Sequence, residues 1–514
     1  MQSRSARAGA IQAGGRPAGP ELACQVEVHD RYQFDLKVTY PLRGGLEADE
    51  TDYQVDLFLF LPKNLRVSSR TYPAARLLED IQAYLRLDAP EVSAGGLESD
   101  PASPLQALAD SLRRRAEGAG LPRVQEMVKQ ARLCACVVVE AARDAAAAVR
   151  GGTAAGEAFR PVLSAVRALR ALRRRYDYHA VDVGPVVLRE LRLCDEWLSL
   201  TLEEAFAGCA AHADPAETAT LAAEEIAYRR RAGFLCLGGT ARDSARDEYF
   251  LYRRGQLKKH VQQVLFLDVR ERPAGAKVQQ AVAAVGAALA ASWALWAQSS
   301  TAGGSSTFLL FCVGVVAYIA KDRIKELTRQ KLQQRLRRFM PDQASEIVGG
   351  AGLYDASLHG RCYESVRYVA LSELPDDVNR ARDLHHVVDL GDDPSDEVLH
   401  YRKRMHFEGD LLARDLGASV RDIVRLGIRD FTEHLDDPKR DVTFFDPAAG
   451  RFVSRRAPKV YHLNLVLRYE TEGATDVSFE RVRAIVSRKG IVRVDVVLPR
   501  TAASALAHTL DPAA

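Results

Sequence analysis

The feature that most constrains this chain is a gap in its charge pattern. From Val278 to Ala320, 43 residues pass without an Asp, Glu, Lys or Arg, in a chain that is 27% charged overall. An α-helix rises about 1.5 Å per residue and the hydrocarbon slab is about 30 Å thick, so one crossing takes about 20 residues. The stretch therefore has room for two crossings. Gln298 to Thr307, polar and rich in Gly and Ser, supplies a turn between the apolar runs Val278–Ala297 and Phe308–Ala320. Trp293 and Trp296 sit near the end of the first run, where amphipathic rings favour an interface.

The flanks of this stretch are basic. Seven Lys or Arg lie between Arg253 and Lys277 and eight between Lys321 and Arg338, each set against two acidic residues. By the positive-inside rule both flanks stay on the cytoplasmic side. Clusters of this kind are drawn to anionic head groups, which nominates Arg253, Arg254, Lys258, Lys259, Lys321, Arg323, Arg335, Arg337 and Arg338 as lipid-facing. Within the hairpin, Gly286, Ala290 and Ala294 recur every fourth residue, and Gly314 lies in the second run. Small residues at this spacing let helices pack closely.

The expectation is thus an α+β membrane protein of the bacterial inner membrane, multi-pass, with both termini cytoplasmic. It combines a two-helix transmembrane hairpin, a cytoplasmic helical bundle and terminal antiparallel β segments. The strand signals are period-two alternations: Tyr32, Phe34, Leu36, Val38, Tyr40; then Tyr53, Val55, Leu57, Leu59, Leu61; and, far downstream, Tyr461, Leu463, Leu465, Leu467, Tyr469, followed by Ile491–Leu498. Isolated strand pairs are marginal in water, so the two ends are expected to share one sheet or two contacting sheets. Helical stripes at Val124, Met127, Val128, Ala131, Ala135, Val138, Ala142 and at Val187, Leu191, Cys194, Leu198, Leu202 indicate the bundle. Short helices are expected near 395–415 and 418–432.

The expected layout is a tail at 1–20, a β segment at 21–75, a bundle at 76–252 and a basic helix at 253–277. The hairpin at 278–320 follows, then a second basic helix at 321–344, a mixed region at 345–440, a β segment at 441–500 and a tail at 501–514. The eight cysteines are scattered with no C-x-x-C, which indicates neither a zinc module nor a disulfide framework. Arginine outnumbers lysine 58 to 13, the mark of GC-rich bacterial coding.

Signatures of the large enzyme classes are missing: no P-loop, no strand-borne G-x-G-x-x-G, no H-E-x-x-H, no G-x-S-x-G. The richest polar group is His385, His386 and Asp389, with His400 and His406 beyond it. These residue types suit a divalent metal, but no spacing fixes a ligand set, and a solvated loop is the plainer reading. His179 with Asp182, and the run Arg167–Arg175, read as structural and as a solvated helix face. No catalytic residue is assigned, and neither a cofactor nor nucleic acid is expected. The favoured function is a membrane-anchored scaffold or regulatory protein acting through protein or lipid contacts, with a protein partner not identified and homo-oligomerisation left open. A membrane-tethered enzyme with a site in 345–440 and an oligomeric channel of hairpins are the alternatives.

Overall fold

The computed structural model describes residues 22–41, 50–90, 92–118, 123–177, 183–237, 244–272, 276–301, parts of 311–331, 340–349, 358–383, 397–408, 419–471 and 477–509. Fourteen strands are present among them. Strands β1 (Ala23–Val28), β2 (Gln33–Pro41), β9 (Ser419–Gly427) and β4 (Gln82–Leu87) form a sheet in the order β1-β2-β9-β4. A larger sheet runs β14-β13-β12-β3-β8-β7-β6-β5. It is built from β3 (Glu50–Leu61), β5 (Asp268–Arg272), β6 (Gln343–Val348), β7 (Leu358–Val369), β8 (Glu397–Glu408), β12 (Tyr461–Thr471), β13 (Ser478–Ser487) and β14 (Gly490–Ala502). The hairpin β10 (Lys439–Asp446) and β11 (Arg451–Pro458) is a sheet of its own.

Alternation explains the layering. In β2, Leu36, Val38 and Tyr40 point one way, and in β3 Tyr53, Val55, Leu57, Leu59 and Leu61 point to meet them; all are buried. The two sheets face each other, with Tyr40 and Tyr53 ring centroids 5.3 Å apart. At one edge they are joined by the Ile491 amide donating to the Arg31 carbonyl (2.7 Å), at the other by the Leu267 amide donating to the Leu85 carbonyl (3.0 Å). Gly490 permits the first junction. Its φ is +105°, and a Cβ there would lie 2.1 Å from the Arg31 carbonyl oxygen. The terminal strand sets meet in the larger sheet, where β3 pairs antiparallel with β12, Leu59 opposite Leu465.

The helices are α1 (Ala74–Asp80), α2 (Gly96–Ser99), α3 (Pro104–Ala116), α4 (Val124–Arg150), α5 (Ala155–Tyr176), α6 (Pro185–Cys209), α7 (Pro215–Arg231), α8 (Ser244–Gln262), α9 (Ala276–Thr301), α10 (Asp376–Asp383), α11 (Arg429–Thr432) and α12 (Ala503–Thr509). Helices α3 to α8 form a bundle whose core is continuous with that of the sheets. A second, smaller core lies on the outer face of the larger sheet, where α10 and α12 cover Phe58, Phe60, Val398, Val466 and Phe479.

Three expectations are corrected. First, no helix among the described residues is long and apolar enough to cross a membrane. This overturns the two-pass transmembrane hairpin, the α+β membrane class, the inner-membrane multi-pass location and the orientation derived from it. Composition gives the reason. The first run is a single helix, α9, whose length comes from alanine, a residue that adds little apolar surface, and which carries Gln279, Gln280, Ser292 and Gln298. The more apolar run Phe308–Ala320 is short and lies partly outside the described residues. Second, the stretches read as short helices near 395–415 and 418–432 contain strands β8 and β9. Third, Arg170 is not on a solvated face but is 8% exposed inside the bundle.

Candidate functional site

The sites named from the sequence do not converge. His385, His386, Asp389, His179 and Asp182 lie outside the described residues. His400 and His406 sit on the outward face of β8, six residues and so about 20 Å apart, and each has an aspartate of its own. His400 Nε2 lies 2.7 Å from Asp56 Oδ1 and His406 Nδ1 lies 2.6 Å from Asp52 Oδ1. His400 is buried and stacked on Phe58, with ring centroids 4.3 Å apart. Burial lowers its pKa against the pull of Asp56. Burial would raise Asp56, but the His400 hydrogen bond and the Arg402 guanidinium (2.7 Å) hold its carboxyl well below the usual range. Among the described residues no group of three or more His, Cys, Asp or Glu is placed to hold a metal ion.

Of the residues nominated as lipid-facing, Arg253 donates through Nε and Nη2 to both Glu196 oxygens (2.7 and 2.6 Å), and Arg254 pairs with Glu204. Lys258, Lys259 and Arg323 are exposed; Lys321, Arg335, Arg337 and Arg338 lie outside the described residues. Gly286 and Ala290 are buried on α9 together with Val282, while Leu289, Leu295 and Trp296 of that helix are exposed. Ala294 is helical; Gly314 lies outside the described residues.

Among the described residues, two clusters of ionisable groups that were not foreseen adjoin a cavity. The first is inside the sandwich. Lys403 Nζ lies 2.7 Å from Asp422 Oδ2 and 3.7 Å from Glu364 Oε1; Tyr401 donates to Glu364, and Tyr40 approaches Asp422 at 3.5 Å. Burial disfavours the Lys403 ammonium, but Asp422 and Glu364 outweigh it and hold its pKa above the usual lysine value. Burial pushes the Asp422 carboxyl up, with Lys403 pulling the other way. The adjoining cavity is about 10 Å³, the lower limit for one water, so no substrate fits there. This cluster ties the layers together.

The second cluster opens to solvent. Along α8, Tyr249, Tyr252, Arg253, Gln256 and His260 recur at spacings of three and four and share one face, beside the buried stripe Phe250, Leu257, Val261. With Leu193 of α6 and Leu257 they line a cleft of about 250 Å³. Both tyrosines are more than half exposed. His260 closes the polar end: its Nε2 lies 2.9 Å from both oxygens of Glu190 and 2.8 Å from Arg132 Nη2. Which of these contacts is the hydrogen bond follows from the imidazole tautomer: Nε2–H donates to Glu190, whereas a bare Nε2 accepts from Arg132. Burial would raise Glu190, but the His260 hydrogen bond and Arg132, which donates through Nε (3.0 Å) and Nη2 (2.9 Å), lower its pKa and keep it ionised.

Glu190, Leu193 and Glu196 stand three residues apart on α6 and so face α8 together. The carboxylates hold the imidazole and the guanidinium in place, and the tyrosines and leucines supply an apolar surface. Sequence reading passed over this site because its partners are remote, 70 residues between Glu190 and His260 and 57 between Glu196 and Arg253. The Tyr249-Phe-Leu-Tyr252-Arg-Arg254 run, aromatic rings beside guanidinium groups, was the available signal.

Compared with protein-family models, curated proteins and solved structures, the chain matches none.

Proposed function

We propose that the protein is a non-catalytic regulatory binding protein, and that the cleft between α6 and α8 receives a small aromatic carboxylate. The observation that carries this reading is the cleft of about 250 Å³ with Tyr249 and Tyr252 at its wall, Leu193 and Leu257 in its lining, and Arg253 and His260 held by buried carboxylates. Ligand sites are concave, largely apolar and marked by a few oriented polar groups, and this volume lies just below their usual range, which favours a one-ring ligand. A ring stacks on the tyrosines. The carboxylate takes donors from Arg253, Gln256 and the tyrosine hydroxyls. Because Glu190 and Glu196 are already neutralised by Arg132 and Arg253, neither repels an incoming anion.

The regulatory part of the sequence expectation is kept here and its membrane attachment is not. An enzyme site in 345–440 has less support, since His400 and His406 are each committed to a separate aspartate. Ligand-observed NMR with a panel of benzoate, phenylacetate and indole-3-acetate tests the proposal. Saturation transfer to at least one acid, weakened in Tyr252→Ala, is expected; none with any acid contradicts it.

A further inference from the structure

The hairpin β10–β11 forms a two-stranded sheet with no further strand paired to either edge among the described residues. Its side chains face water on both sides: Val442, Phe444, Phe445 and Phe452 are all exposed. An isolated hairpin is marginal in water, and an open edge presents a row of N–H and C=O groups to any strand that fits.

The sequence of β10 says which strand fits. Arg440, Val442, Phe444 and Asp446 alternate and therefore lie on one face. Let a second copy of β10 run antiparallel with Thr443 opposite the partner's Thr443. Arg440 then lies opposite the partner's Asp446, and Val442 opposite the partner's Phe444, with the mirror contacts repeated by symmetry. The hairpin's own register continues the pattern, because Asp446 already has Arg451 opposite it and Phe444 has Val453. Asp446 would stand between two arginines, and Phe444 between two valines. The other edge lacks this property: β11 centred on Val453 sets Arg451 against the partner's Arg455, and Pro458 has no N–H to give.

We propose that β10 pairs with β10 of a second copy of this chain, making a two-fold dimer through a four-stranded sheet β11-β10-β10-β11. Such a contact is isologous and closes on itself. It does not depend on the ligand reading above.

The test uses the full chain. Sedimentation velocity should show a dimer, and Thr443→Cys under mild oxidation should give a reducible crosslinked dimer that wild type does not give. Arg440→Asp sets like charges opposite each other at both ends of the contact and should weaken the dimer by at least about tenfold. Because β10 is exposed along nearly all its length and, among the described residues, pairs only with β11, the melting temperature of this variant should match wild type at concentrations where both are monomers. Wild type that sediments as a monomer at every concentration, or Arg440→Asp that keeps the dimer, overturns the proposal.

Discussion

Lys403 and Asp422 come from different sheets and meet inside the sandwich, Nζ to Oδ2 at 2.7 Å, with both side chains almost fully buried. Removing one partner of such a pair leaves an uncompensated buried charge, which costs about 3–5 kcal/mol. Lys403→Met should therefore lower unfolding free energy by about that amount in urea titrations. Lys403→Met combined with Asp422→Leu should recover part of the loss, since the double variant leaves only Glu364, which keeps its hydrogen bond from Tyr401.

On the outer face of the larger sheet, Asp56 and His400 give the fold an acid sensitivity. The folded pKa of Asp56 is depressed below its unfolded value, so its stabilisation is full above the unfolded pKa and is lost as pH falls through the acid range. His400 is also depressed, by burial, and its neutral form likewise favours the folded state as long as the pH stays above the unfolded value. Asp56→Asn should lower stability at neutral pH by about 2 kcal/mol, the scale of charge-assisted hydrogen bonds. It should also flatten the acid limb of a stability–pH curve, and an unchanged limb would show that Asp56 does not govern it.

Glu480 works in the opposite sense. Burial, opposed by the Tyr469 hydrogen bond (3.2 Å) and by Arg500, pushes its pKa up to about 7. A carboxyl with a raised folded pKa binds its proton more tightly folded than unfolded, so its contribution falls as pH rises from the usual carboxyl value to about 7. Glu480→Gln removes that term. Above pH 7 the variant should be the more stable protein, by up to about 3 kcal/mol, and the advantage should vanish in mild acid. Equal melting curves for the two proteins at pH 8 would contradict this.

Much of the sheet architecture was legible because alternation is a local property. Tyr461 to Tyr469 reads as a strand by itself and is β12; Tyr53 to Leu61 is β3. The stripe beginning at Val124 is the inner face of α4, which buries Met127, Ala131, Ala135, Val138 and Ala142. What hid β8 and β9 is the buried ion pair. The inward positions of β8 are Leu399, Tyr401, Lys403, Met405 and Phe407, and a lysine at the centre breaks the apolar rhythm. Asp422 does the same among Val420, Val424 and Leu426 of β9. Each residue looks misplaced until its partner is seen. The charge-free run misled for a different reason: lack of charge and abundance of alanine do not add up to the apolar length a membrane crossing demands. The cleft was not legible because His260 and Arg253 take their orientation from glutamates on another helix.

Isothermal titration of the full chain with the aromatic acid that shows saturation transfer, beside Tyr252→Ala and His260→Ala, tests the α6–α8 cleft most directly. The account predicts saturable one-to-one binding by wild type, weakened about fivefold to tenfold by loss of the Tyr252 ring, a stacking contribution of about 1–1.5 kcal/mol. It predicts a comparable loss in His260→Ala. Heats that do not saturate, or equal affinity in all three proteins, would contradict the cleft as a binding site.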